Sequence, residues 1–276
     1  MKSQSTIAFI GGGNMVRSLV GGLVAQGHDP GSIVVAEPVD VVREALQRDF
    51  GVQVRDNAEA AAVDRQLWVF AVKPQVMRSA CESLSELAVR QRPSVVSVAA
   101  GITTTQLQRW LGVGVELPVI RAMPNTPAIL GAGATGLYAT QGVRASGRKD
   151  AEDLLSSAGP TIWVEDEALM DAVTALSGSG PAYVFLLAEA MIEAGEAEGL
   201  PRDAAQALAL QTVLGAARML VESGEAPGEL RQRVTSPDGT TQAALESFER
   251  DGFRDMVERA IHAARVRGGE LSATND

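Results

Sequence analysis

Thr6-Ile-Ala-Phe-Ile10, Gly11-Gly-Gly13 and Asn14-Met-Val-Arg-Ser-Leu-Val-Gly-Gly-Leu-Val-Ala25 follow one another without a break. The first is a short apolar run stopped by glycine, and the third repeats its apolar residues at helical spacing. Together they read as strand, glycine turn and helix. Ile33-Val-Val-Ala36 is a second strand ending at Glu37, which makes a βαβ unit with an acid where a nucleotide ribose would lie. Gly11 and Gly13 permit the tight turn and close backbone approach that a pyrophosphate needs at a helix N-terminus. The third glycine position of that fingerprint holds Val16. An ordinary βα turn would explain the glycines alone; their place ahead of Glu37 points to a dinucleotide.

The alternation continues. Asp56-Asn57 opens a short helix, Leu67 to Val72 is a buried strand, and Pro74 to Leu87 reads as one helix with proline in its first turn. Ser94 to Val98 and Leu117 to Arg121 are further strands, Tyr138 sits in another, Ala151 to Ala158 is helical, and Thr161 to Val164 is a strand. Strands alternating with helices predict an α/β fold with a doubly wound parallel sheet and ligands at the carboxyl ends of its strands. Those ends carry Lys73-Pro74, Ala99-Ala-Gly101 and Met123-Pro-Asn-Thr-Pro127. Lys73 is placed to meet a ribose or phosphate oxygen, or is a solvated lysine. Asn125 and Thr126 could present an amide and a hydroxyl to a nicotinamide ring, or the two prolines merely redirect the chain.

Near Glu165 the character changes. Ala168 to Ala175, Pro181 to Gly199, Arg202 to Ser223, Thr241 to Arg250 and Asp255 to Arg267 read as helices. We therefore expect a dinucleotide-binding domain over 1–164 and an all-helical domain over 165–276. Several of the helices are apolar around more than one face and rich in Ala and Gly, which predicts a bundle shared with a second subunit in a homodimer.

Val234-Thr-Ser-Pro-Asp-Gly-Thr-Thr241 precedes one of them. A turn at Pro237-Asp-Gly239 followed by a helix start points backbone N–H groups and the positive end of a helix dipole outward, a receptor for a small carboxylate. The same stretch also reads as a plain helix cap.

Composition limits the partners. With 276 residues, 46% of them hydrophobic, the chain can bury substantial cores. A net charge of −10 argues against nucleic acid and anionic membrane surfaces. No uninterrupted apolar run reaches transmembrane length and the start shows no leader pattern, so a cytoplasmic location is expected. Cys81 is the only cysteine, which excludes an intrachain disulfide and a cysteine metal cluster.

The chain resembles the pyrroline-5-carboxylate reductase family at Phe9-Ile-Gly-Gly-Gly-Asn-Met15, Ala71-Val-Lys-Pro74, Met123-Pro-Asn-Thr-Pro-Ala128, Leu176-Ser-Gly-Ser-Gly-Pro-Ala-Tyr183 and Val234 to Thr241. The resemblance implies a Rossmann-type N-terminal domain, a C-terminal helical dimerisation domain and reduction of 1-pyrroline-5-carboxylate to proline, with NADPH as cofactor and NADH as the alternative. It places Asn14, Met15, Asn57 and Ala71-Val72-Lys73-Pro74 beside Gly11, Gly13 and Glu37 at the nucleotide. Ser236, Gly239, Thr240 and Thr241 fall at the substrate, Thr241 as the catalytic position. Dimers of the family often assemble into pentamers of dimers. Asp238 stands where the family mostly has Gly, Ala or Asn, and its carboxylate is expected to turn away from a bound anion.

The chemistry agrees. Reduction of a carbonyl needs a proton donor, usually His, Lys or Tyr backed by Lys. Here Leu187 stands four residues after Tyr183, no lysine follows Lys149, and His262, late in a helix, reads as a surface or helix-end residue. A protonated imine needs no such acid. A 3-hydroxyacid-type dehydrogenase would require a catalytic lysine on a C-terminal helix, and a nucleotide-sensing module would have no use for Ser236 to Thr241.

Overall fold

In the computed structural model, which describes residues 5–112 and 116–274, β1 (Ile7–Ile10) is buried at all four positions. A strand buried on both faces must be covered on both, and helices cover this one. The chain continues through α1 (Asn14–Ala25), β2 (Ile33–Ala36), α2 (Asp40–Phe50), β3 (Gln53–Arg55), α3 (Ala58–Ala62) and β4 (Leu67–Phe70). Then come α4 (Pro74–Ser83), α5 (Ser85–Gln91), β5 (Ser94–Ser97), α6 (Thr104–Leu111), β6 (Val119–Met123), β7 (Thr135–Ala139), α7 (Ala145–Leu155) and β8 (Thr161–Trp163). The helical part comprises α8 (Met170–Val173), α9 (Gly180–Ala197), α10 (Arg202–Glu222), α11 (Pro227–Arg233), α12 (Thr240–Arg250) and α13 (Phe253–Thr274). Met1–Gln4, the start read as lacking a leader, lies outside the described residues.

The eight strands form one sheet in the order β3-β2-β1-β4-β5-β6-β7-β8. Alternate residues feed two cores. Ile7 and Phe9 pack with Val16, Leu19, Val20 and Leu23 of α1 and with Leu154 of α7. Ala8 and Ile10 face Met77, Cys81, Leu87, Leu107 and Trp110 of α4, α5 and α6. Burial pushes the Cys81 thiol up to about 12, so it is an inert core residue.

The sheet departs from the all-parallel expectation at β7, which runs antiparallel to β6. A parallel crossover needs a dozen or more residues, usually with a helix. The short link after Met123 holds only the 3-10 turn Thr126–Leu130, so the chain must fold back on itself. The single helix expected over Pro74 to Leu87 is two, with Leu84 capping the first. α6 is an addition to the expected elements, although Thr103 and Gln106 close a reciprocal capping box that the sequence spells out.

The fold divides into two compact units. One runs to Ser179 and resumes at Ala263; the other is Gly180–His262. In the second unit α9 and α10 meet through small residues: a Cβ on Gly195 would lie 3.3 Å from that of Ala205. Large apolar side chains stay exposed on both, among them Phe185, Leu186, Leu208 and Val221, the last 84% exposed. Helix is also more continuous than the sequence suggested. Glu167–Ala197 and Arg202–Glu222 are long and apolar enough to cross a membrane by length and composition, each with a mean hydropathy of 1.3.

Candidate active site

Strand order reverses between β1 and β4, and the crevice at the carboxyl ends there is where open α/β sheets take ligands. Gly11 turns at its floor with φ +105°, a conformation that favours glycine. A Cβ on it would lie 2.9 Å from the Ala71 carbonyl oxygen and 3.2 Å from Val72 Cγ1, so Ala71 and Val72 lie against the glycine loop. Gly13 is the N-cap of α1 and has no side-chain cap. A Cβ there would meet nothing within 4 Å, so the helix that begins with Asn14 and Met15 presents its end to open space. This cradle fits a pyrophosphate. Val16 is fully buried among the core residues, so its bulk leaves the loop unobstructed.

Gly12 also belongs to the site, although the sequence singles out only Gly11 and Gly13. Its N–H donates to Glu37 Oε2 at 2.9 Å, and a Cβ on it would sit 2.9 Å from Glu37 Cβ. The signal is a third consecutive glycine where the turn needs two. Arg43 Nη1 donates to the Glu37 carbonyl at 2.6 Å, and the guanidinium also pairs with Asp40.

The other positions in this unit are less uniform. Lys73 is exposed and caps α4, whose first residue is Pro74. Asn57 caps α3: Oδ1 accepts the Ala60 N–H at 2.8 Å while Nδ2 donates to Asp56 at 2.9 Å. Asn125 Nδ2 donates to the Ser177 carbonyl and its Oδ1 accepts the Ala134 N–H, both at 2.9 Å. Thr126 is exposed at the start of the 3-10 turn.

In the second unit, Gly239 is the N-cap of α12 and carries no side-chain cap. The helix opens with Thr240 and Thr241, whose N–H groups precede the first intrahelical donor. The Gly239 N–H donates to the Ser236 carbonyl at 3.1 Å, which closes the turn. Asp238 is exposed with φ +56°. Only Gly, Asn and Asp visit that left-handed region at low cost, which explains how Asp substitutes here. Its own N–H donates to Gln242 Oε1 at 2.9 Å. His262 is in the middle of α13, which extends to Thr274.

A glycine-lined crevice at the reversal of a doubly wound sheet, in a chain whose long helices leave apolar faces uncovered, marks the class of dinucleotide-binding proteins. Known proteins narrow the class. Residues 6–101 match the family described as NADP oxidoreductase coenzyme F420-dependent, and residues 167–271 match pyrroline-5-carboxylate reductase dimerisation. The chain is 48% identical to the pyrroline-5-carboxylate reductase of Pseudomonas aeruginosa over 98% of each chain. It is 43% identical to that of Synechocystis over 96% of this chain and 97% of the other. The solved structure of the Coxiella burnetii pyrroline-5-carboxylate reductase is 41% identical, with a TM-score of 0.94 over 98% of this chain and 99% of that one. The Plasmodium falciparum enzyme, solved with NADP bound, is 27% identical, with a TM-score of 0.83 over 97% and 98%. The chain belongs to the pyrroline-5-carboxylate reductase family. The dimerisation match spans both long apolar helices.

Proposed function

We propose that the protein reduces 1-pyrroline-5-carboxylate to L-proline, the last step of proline biosynthesis. The observation that carries this is the uncapped start of α12, in a chain 48% identical to a pyrroline-5-carboxylate reductase along nearly its whole length. A bound reduced nicotinamide supplies the hydride. Gly11, Gly13, Asn14 and Met15 hold the pyrophosphate, Glu37 and Asn57 lie on the nucleoside side, and Ala71 to Pro74 with Thr126 line the remainder; Asn125, expected at the nicotinamide, has its amide engaged with Ser177 and Ala134 instead. The N–H groups of Thr240 and Thr241 hold the substrate carboxylate beside the Ser236 hydroxyl; the Gly239 N–H, expected to join them, is spent on the Ser236 carbonyl, and Gly239 instead shapes the turn that presents them. Thr241 hydrogen-bonds the ring nitrogen and so orients the C=N bond. No general acid is required, because the iminium carries its proton into the reaction.

The cofactor in this reading is NADPH, supported by the NADP-bound Plasmodium relative; the charge of Glu37 favours NADH as the alternative. The protein acts in the cytoplasm as a homodimer that assembles into a pentamer of dimers, with neither nucleic acid nor membrane as a partner. Its functional division is 1–164 and 165–276, supported by a dimerisation match that begins at residue 167.

The test is absorbance decay at the reduced-nicotinamide band with 1-pyrroline-5-carboxylate, run with NADPH and NADH side by side. Rapid decay is expected. A folded dimer that binds nucleotide yet turns over with neither would leave a nucleotide-sensing module as the better reading.

A further inference from the structure

The motif Leu176 to Tyr183 has no role in the reaction as described, yet it begins in an unusual stretch of helix. Thr174–Gly178 is a single π-turn that follows α8, and such turns occur frequently at functional sites. Three features hold it against the end of β6 and the start of β7. The Asn125 amide bridges the Ser177 carbonyl and the Ala134 N–H, tying three segments through one side chain. Met123 lies over Gly178, where a Cβ would be 2.5 Å from Met123 Cε. Gly136, the register partner of Met123, lets Val173 down onto the sheet, since a Cβ there would be 2.3 Å from Val173 Cγ1.

We propose that Asn125 is a positioning residue that locks the π-turn Thr174–Gly178 onto the loop Met123–Thr126 and so sets the reacting end of the crevice. The catalytic consequence rests on the reductase reading; the lock itself does not. β6 stands three strands along the sheet from β1 and its glycine cradle. A loosened lock therefore misplaces the reacting end while leaving the pyrophosphate site intact. Both halves of the amide are needed. An aspartate keeps the acceptor for Ala134 but sets a carboxylate against the Ser177 carbonyl, and an alanine removes both bonds.

Asn125→Ala and Asn125→Asp are compared with the wild type by thermal melting, cofactor titration, steady-state kinetics and amide exchange. Cofactor Kd is expected to stay within about two-fold while kcat falls about 10- to 100-fold, the scale of a small misplacement of reacting groups. Exchange at Ala134 and Ser179 should quicken while β1 is unchanged. A folded variant with wild-type kcat, or one whose kcat falls only as far as Kd rises, overturns the positioning role. Unchanged exchange overturns the lock. If Asn125→Ala does not fold, Asn125→Asp, matched in shape, carries the test. Wild-type protein that fails to reduce the imine would end the reductase reading and leave amide exchange to decide the lock alone.

Discussion

The Glu37 carboxylate clasps the glycine loop: Oε2 accepts the Gly12 N–H at 2.9 Å while Oε1 accepts the Val39 N–H at 3.0 Å. The acid is held at both oxygens by its own chain, so its charge stands at the end of β2 whichever dinucleotide binds. Glu37→Ser should raise the ratio of kcat/KM for NADPH over NADH by about ten-fold, equivalent to about 1.4 kcal/mol. An unchanged ratio would show that the acid serves the loop and not the choice of cofactor. Gly12→Ala puts a methyl group against Glu37 and Leu46 Cδ1, the latter at 3.0 Å, and should weaken binding of both dinucleotides.

Thr241→Ala should lower kcat/KM for the imine by about 100-fold, the scale of losing the hydroxyl that accepts the iminium N–H and orients the reacting C=N bond. Cofactor affinity should be unaffected, since the glycine cradle lies in the other unit. Titration of the variant with dinucleotide separates the two effects, and wild-type kcat/KM would remove Thr241 from the mechanism.

Asp238→Gly should lower KM for the carboxylate substrate by about two- to five-fold at low ionic strength, the effect of removing an exposed charge near a helix N-terminus. Added salt should shrink the difference. The variant also relieves the left-handed backbone at φ +56°, whereas Asp238→Val should destabilise the turn by about 1–2 kcal/mol.

Arg121 is 4% exposed on β6 and pairs with Glu167 at 3.4 Å and Asp171 at 3.5 Å. Glu167 also accepts the Thr104 N–H at 2.7 Å and the Thr104 hydroxyl at 2.6 Å. Arg121→Met strands two carboxylates and should cost about 2–3 kcal/mol, less than for a fully buried pair because both acids keep some contact with water. Denaturant unfolding measures it. Adding Glu167→Gln and Asp171→Asn should recover part of the loss.

Burial holds the His28 imidazole below its usual range, against the opposing hydrogen bond it donates to the Ser5 backbone and the charge of Asp29. The folded chain then binds this proton less readily than the unfolded chain does. Its stability is full above the unfolded value of 6.5 and falls as pH drops below it. Melting temperatures between pH 7.5 and 5.5 should decline in the wild type and decline less in His28→Gln.

The strand–glycine–helix start, the change to helices near Glu165, the turn before α12 and membership of the family are all legible along the chain. These are local: an apolar period, a glycine stop or a Pro-Asp-Gly turn is written within a few adjacent residues, and neighbours in sequence impose it. The direction of β7 emerges only in three dimensions, from how little chain is left after Met123 to make a crossover. Packing also assigns the amides. Asn57 caps its own helix, a role readable nearby, but Asn125 is spent on Ser177, 52 residues along the chain. Gly12 is indistinguishable from its neighbours until β2 brings Glu37, 25 residues away, to its N–H. Beside the π-turn, Gly136 and Gly178 likewise leave room for Val173 and Met123. That room is a property of packed surfaces and has no spacing in the sequence to announce it.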